Sequence, residues 1–319
     1  TEKMRITNDG NVGIGNGKSF YASSGDAGTG LKMIDDATVA LNAKGSAYVA
    51  FDSNNNETNQ FFGVYHNAVD NGGTLLFKID DNSRISLSNN DSGGGQNTVF
   101  GSGIADNWHG SAAENTFIGF NVAKTGTMTS ETVKNTGVGA YVMNDLSSGA
   151  NNTGLGYDAF AKLTTGSYNV AIGSRCADAL TDGASNVFIG EFAGSTTTSV
   201  SNAVIIGQSA GSGGNMTASG TIAIGLSALG VLTSGANNVA IGYQAGATTT
   251  TGVSNVYIGY QSGLDTNLDS TANVAIGRKA FGGAHSHSNG SHSSVAIGNL
   301  AMGAGALDNV TGTIAIGDS

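Results

Sequence analysis

Proline is missing from the sequence altogether, cysteine occurs once, and Lys and Arg together number 13 in 319 residues. Aromatic residues make up 7% and charged residues 11%, whereas glycine reaches 51. A chain so short of bulky and charged side chains does not suit one large central core, so its core is expected to be thin and spread along an axis. The single cysteine excludes an internal disulfide framework. The formal net charge is −10, the sequence pI is near 4.7 and the few basic residues are scattered. That pattern excludes nucleic-acid binding through phosphates, which needs clustered Lys and Arg. No apolar run approaches the roughly 20 residues of a membrane span, so no membrane insertion is expected. A chain that begins at Thr1 rather than Met reads as a fragment or a processed product.

What the sequence has instead is a repeat. High Gly, Asn, Ser and Thr content would suit disorder, but Val, Ile, Leu and Ala return at fixed places. Aligned on the glycine that closes each small apolar run, thirteen copies stand at Gly101, Gly119, Gly139, Gly156, Gly173, Gly190, Gly207, Gly225, Gly242, Gly259, Gly277, Gly298 and Gly317. They lie 17 to 21 residues apart, most often 17. NVAIG (238 to 242), NVYIG (255 to 259) and TIAIG (313 to 317) are typical. The residue before the glycine is large and apolar, the residue two earlier is Val, Ile or Thr, and the one between is mostly Ala or Gly. Such period-two alternation predicts a short strand with one face inward. The inward face is expected to be that of the large residues, making Ile118, Ile172, Ile189, Ile206, Ile224, Ile241, Ile258, Ile276, Ile297 and Ile316 the repeat core. The closing glycine permits a bend, and the Asn that opens most copies suits a turn or cap. Copies of this kind bury their apolar residues only by stacking, pairing strands about 4.8 Å apart.

The first hundred residues differ. Residues 1–15, with the NDG turn in MRITNDGNVGIG, predict a connecting β-hairpin. Residues 16–96 alternate apolar and polar residues between Asn- and Gly-rich turns and predict a small antiparallel β module. Residues 97–319 form the repeat array of thirteen turns.

The phrases MRITNDGNVGIG and NVAIGYQAG (238 to 246) resemble tail-fibre and other appendage proteins of bacteriophages. The SVAIG and TIAIG variants also resemble the head domains of trimeric autotransporter adhesins of the YadA type, whose usual period is shorter. The hairpin phrase favours the phage side of this resemblance. Both families imply an all-β fold in which three left-handed parallel β-rolls pack round an axis as a homotrimer, with the small residues of the strands at the sites of close approach between chains. The function implied is that of a virion structural protein: a non-enzymatic fibre segment, serving as rigid spacer and touching a bacterial surface glycan or protein receptor alongside other virion fibre or tail proteins. The alternative is a bacterial cell-surface adhesin head that binds host matrix. Phage fibres of this sort often end in a chaperone domain that is cut away, and the stop after a repeat at Asp318-Ser319 is consistent with such a removal.

Chemistry-bearing candidates are few. Gly207-Gln208-Ser209-Ala210-Gly211 fits a nucleophile elbow, yet Ser209 occupies a slot held by Asp158, Arg175, Phe192, Gln244 and Lys279 in other copies. Gly17-Lys18-Ser19 lacks the earlier glycine of a phosphate-binding loop, since Val12 stands there. Asp35-Asp36 and Asp80-Asp81 read as turn carboxylates, with adventitious Ca²⁺ as the other reading. Cys176 falls in the alanine slot three residues after the bend and reads as a small buried residue. IGYQAG fits one hexapeptide of a left-handed β-helix acyltransferase, but Asp178, Ala184, Ser195 and Ser201 break the pattern at the following corners. No catalytic residue and no required cofactor is expected. His285, His287 and His292 lie in the longest inserted loop, where a His-x-His pair repeated in three chains would offer six nitrogens to an axial transition metal, the use some phage fibres make of it. Trp108, Tyr157, Tyr243 and Tyr260 are candidates for stacking on receptor sugars, against the plainer reading that they pack along the stack.

Overall fold

The computed structural model describes five short strands in the first 87 residues and, beyond them, residues 96–264, 271–282, 292–303 and 311–318. The chain forms two compact units, Thr1–Ser86 and Leu87–Ser319. In the first, β1 (Met4–Ile6) pairs antiparallel with β2 (Val12–Ile14). There β3 (Phe61–His66), β4 (Thr74–Asp80) and β5 (Ile85–Leu87) make a three-stranded sheet, β3 antiparallel to β4.

The second unit is a parallel β-solenoid without helices among its described residues. Its strands are β6 (Thr98–Ser102), β7 (Thr116–Phe120), β8 (Thr136–Ala140), β9 (Thr153–Tyr157), β10 (Val170–Ile172), β11 (Val187–Ile189) and β12 (Val204–Ile206). They continue with β13 (Ile222–Ile224), β14 (Val239–Ile241), β15 (Val256–Ile258), β16 (Val274–Ile276), β17 (Val295–Ile297) and β18 (Ile314–Ile316). These thirteen strands form one parallel sheet in strict chain order. Register never slips: Val170 pairs with Val187, Ala171 with Phe188 and Ile172 with Ile189, so each column of the repeat stacks on itself.

Three columns hold the stack together. The first is the bend glycine, whose φ lies between +128° and +145° in all thirteen copies, a region closed to side chains. Successive copies also approach so closely that a Cβ on Gly173 would lie 2.6 Å from the carbonyl oxygen of Gly190. The second is the Asn that opens the strand. Asn169 donates its backbone N–H and Nδ2 to Asn152 Oδ1 at 3.0 and 3.1 Å, and Nδ2 also donates to Gly183 O at 2.7 Å. Its own Oδ1 receives the backbone N–H and Nδ2 of Asn186 at 3.0 and 2.9 Å. These amides form a continuous ladder from Asn97 to Asn186 and are wholly buried from Asn115 on. Ala203 and Thr221 interrupt it, and it resumes over Asn238, Asn255 and Asn273. The Asn column thus bonds turn to turn, more than the local turn or cap the sequence suggests.

The third column is the interior, and here the expected facing of the strand is corrected. Ile118, Ile172, Ile189, Ile206, Ile224, Ile258, Ile276 and Ile297 are only half-buried, while Ile241 and Ile316 are exposed. The fully buried residue is the one between the two branched ones: Phe117, Ala171, Phe188, Ile205, Ala223, Ala240, Tyr257, Ala275 and Ala296 are each 0% exposed. The middle residues, large or small, therefore line the inside of the coil, and from β10 on the Val/Ile pairs form two ridges on its outer face. Alternation shows that two faces differ without saying which is inward. A coil of about 17 residues has too little interior to take two branched side chains per strand.

The interior is filled by exchange of volume between two positions. Where the middle strand residue is large, as at Phe188 and Tyr257, the fourth residue after the bend is a glycine, Gly194 or Gly263. A Cβ on Gly194 would sit 2.4 Å from the Phe188 ring. Where the middle residue is small, as at Gly154, Ala223 and Ala275, the partner is Phe160, Leu229 or Phe281, all wholly buried. At Ala171 with Ala177 and at Ala240 with Gly246 both positions are small, and beside Gly246 the side chains of Leu229 and Tyr257 from the adjacent turns take the space.

Candidate functional site

The sequence candidates divide by where the coil puts them. Trp108 is half-buried against the core and meets Phe117 edge-on at 6.2 Å. Tyr157 is exposed and makes an edge contact with Tyr141 at 6.0 Å, which in turn meets Phe120 at 5.5 Å. Tyr243 and Tyr260, on consecutive turns, stack at 5.2 Å with their planes 10° apart. Stacking along the coil turns one face of each ring toward its neighbour, so the pair offers edges more than open faces to a ligand. Beside it, Gln261 Nε2 donates to Gln244 Oε1 at 2.8 Å. His285 and His287 lie outside the described residues. His292 is described: its backbone bridges Thr271 and Thr311 as one more rung of the stack. Among the described residues no group of three metal-ligating side chains comes together.

Ser209 has φ +53°, as a nucleophile elbow would, but Asp158, Arg175, Phe192, Gln244 and Lys279 take nearly the same value at the equivalent position. The conformation belongs to the repeat. Cys176 is unpaired and 0% exposed in the alanine column, and burial pushes its thiol up to about 12, which keeps it protonated and unreactive. Lys18, Asp35 and Asp36 lie outside the described residues.

One concavity carries a concentration of polar groups that the sequence does not announce. An open groove of about 390 Å³ crosses four consecutive turns between Tyr141 and Ser195. Its floor is shallow because Ala161, Ala179 and Ser195 are small, and around it stand Tyr141, Asn144, Asp158, Lys162, Arg175 and Asp178. Two charge pairs brace it. Lys162 Nζ lies 3.0 Å from Asp145 Oδ2, and Arg175 Nε lies 3.9 Å from Asp158 Oδ2 with its guanidinium 5.9 Å over the Phe192 ring. For Asp145, burial works to raise the carboxyl, but hydrogen bonds from Thr125 and Lys162 and the Lys162 charge outweigh it and hold the group below the usual carboxylate range. Asp178 is the reverse. Burial raises it, against the pull of nearby backbone N–H groups and the Arg175 charge, while Asp158 adds to the rise. Its Oδ1 is buried and has no hydrogen-bond partner among the described residues.

These residues lie two, five and six positions after the bend glycine on four successive turns, with equivalent positions 17 residues apart, so the groove forms only because the turns stack. A clue in the sequence was the run of small residues at Ala161, Ala179 and Ser195 where Lys124 and Thr125 stand on an earlier turn. No protein-family model, curated protein or solved structure matches this chain.

Proposed function

We propose that this chain is a non-enzymatic segment of a homotrimeric fibre, of the kind carried by bacteriophage tail fibres and appendages, in which the β-solenoid is a stiff spacer and the surrounding surfaces contact a host cell. The observation that carries the reading is the pair of outward Val/Ile ridges. From β10 to β18 two branched apolar side chains stand on the outer face of every strand, giving a stripe on the order of 40 Å long at about 4.8 Å per strand, which β6 to β9 continue with Thr in one of the two ridges. An apolar stripe of that length is costly in water and suits burial against identical stripes of two other copies. Each turn touches only its neighbours in the chain, so the unit resists bending without needing a globular core. The left-handed winding, the side-by-side packing of three rolls and the small antiparallel β module within residues 16–96 belong to the same reading. The close approach between chains moves from the small residues, which lie inside, to the Val/Ile ridges.

Sedimentation equilibrium of the full chain tests it directly: the expected species is three times the 31.7 kDa chain mass, and Ile206→Glu with Ile224→Glu is expected to release monomers. A monomeric parent chain would overturn the trimer. Electron microscopy of virions labelled with antibody to the chain tests the setting. Label along a tail fibre is the expected result, whereas label on bacterial cell surfaces would shift the reading to a trimeric adhesin head.

A further inference from the structure

The groove between Tyr141 and Ser195 belongs to a different part of the turn from the ridges that would join the chains. The ridge residues stand one and three positions before the bend glycine, and the groove residues two to six positions after it. Packing of ridges against other copies therefore engages the strand and not the corner that carries the groove. Within the groove the charges balance: Lys162 and Arg175 face Asp158 and Asp178. A binding site for anions would not carry two carboxylates, and one for cations would not carry two bases. Balanced charge combined with many donors and acceptors suits a neutral ligand rich in hydroxyls. Three further features point the same way. Asp178 is half-buried at the groove, and its carboxylate is incompletely satisfied, since the enclosed Oδ1 has no donor among the described residues. Arg175, half-exposed between Asp158 and the Phe192 ring, has no side-chain hydrogen bond to Asp158 at 3.9 Å, so its guanidinium donors remain available to a ligand. Tyr141 is fixed edge-on between Phe120 and Tyr157 and gives the groove an apolar end wall, the kind of surface that the C–H face of a pyranose packs against. The volume of about 390 Å³ falls in the usual range for small-ligand sites, roughly 300–1,000 Å³.

We propose that this groove binds a neutral sugar unit of a surface polysaccharide, with Asp178 and Arg175 engaging its hydroxyls and Tyr141 its C–H face. The proposal rests on the surface-contact part of the fibre reading and supplies its ligand class and its place on the coil. It also moves that contact away from the aromatic candidates of the sequence, since only Tyr157 touches this region, through Tyr141.

The test is saturation-transfer difference NMR of the full chain with glucose, galactose, mannose, N-acetylglucosamine and their short oligomers, with glucuronate and inorganic phosphate as anionic probes. At least one neutral sugar is expected to bind, at millimolar strength for a single ring. Asp178→Asn and Tyr141→Ala are each expected to weaken that binding tenfold or more, and Lys134→Ala, at an exposed pair with Glu114 on an earlier turn, to leave it unchanged. Melting is followed in parallel. Asp178→Asn is expected to melt no lower than the parent, so loss of binding in that variant would not be loss of fold. No transfer to any neutral sugar, glucuronate binding more tightly than its neutral counterpart, or binding indifferent to both substitutions would each overturn the assignment. A trimer that binds no sugar would end this proposal and leave the fibre reading standing, whereas a monomer that binds sugar would do the opposite.

Discussion

At Gly173 the backbone φ is +138° and the next turn's carbonyl oxygen occupies the space a side chain would need. Both facts act on one residue, so Gly173→Ala combines backbone strain with a clash against main chain that cannot swing aside. A loss of about 3 kcal/mol or more is expected, read as a fall in melting temperature, while Ser174→Ala next to it should leave melting nearly unchanged. Asp178 makes the second prediction at this scale. Its folded-state carboxyl is raised by burial, so between its unfolded value and that raised value the folded chain holds more proton than the unfolded one. Stability then falls as pH rises through that window, and the penalty is fully present at neutral pH. Asp178→Asn removes it. The variant is expected to gain in melting temperature at pH 7 relative to the parent and to lose that advantage at about pH 3, below the unfolded carboxylate value. An equal gain at both pH values would show that the ionised carboxylate is not its source.

The elements of this fold are single turns, and what distinguishes one from another is how it joins the next. The amide ladder is one joint. Asn169→Ala leaves the Nδ2 and backbone N–H of Asn186 without their acceptor and deprives Asn152 Oδ1 of one donor, an expected cost of about 2–4 kcal/mol. Asn169→Asp is expected to be worse despite its matching shape. Its second oxygen would face Asn152 Oδ1 and Gly183 O, two acceptors, in a fully buried site. Thermal unfolding of the three proteins should rank Asn above Ala above Asp. The exchange of interior volume is the other joint. Phe188→Ala alone opens a cavity, with an expected cost of about 3–5 kcal/mol, and Gly194→Leu alone drives a side chain into the Phe188 ring. Combined, they reproduce the Ala223 and Leu229 arrangement found two turns later. The double variant is expected to be more stable than the sum of the two single losses allows, and additivity in the cycle would refute the pairing.

Over the whole molecule, the described turns form a one-dimensional array, since each strand contacts only those before and after it in the chain. Such arrays open locally, at the weakest interface. The amide ladder stops at Ala203 and Thr221 and begins again at Asn238, so the turns of β12 and β13 are joined by strand pairing and interior contacts without the buried amides. Hydrogen exchange is expected to be faster at the amides of residues 203–222 than at those of β9 to β11 or β14 to β16. Uniform protection across β9 to β16 would show that the ladder adds nothing to the cohesion of the stack.

The period, the strand positions, the bend at each glycine and the all-β class were legible in the sequence because each is a local property, written in the spacing of a few residue types and repeated thirteen times. So was the inert character of Cys176, from its place in a column of alanines. The facing of the strands was not. Alternation is unchanged when a strand is turned over, and only the narrow bore of the closed coil decides that Ala171 goes in and Ile172 stays out. The Asn column was visible, but its bonds run to side chains about 17 residues away, beyond any turn or cap. The groove was the least visible of all. Its residues share no motif, and Tyr141 comes beside Arg175 and Asp178, 34 and 37 residues further on, only when the turns are stacked in register. What lies along the chain was settled by local pattern, and what lies across it by the closure of the coil.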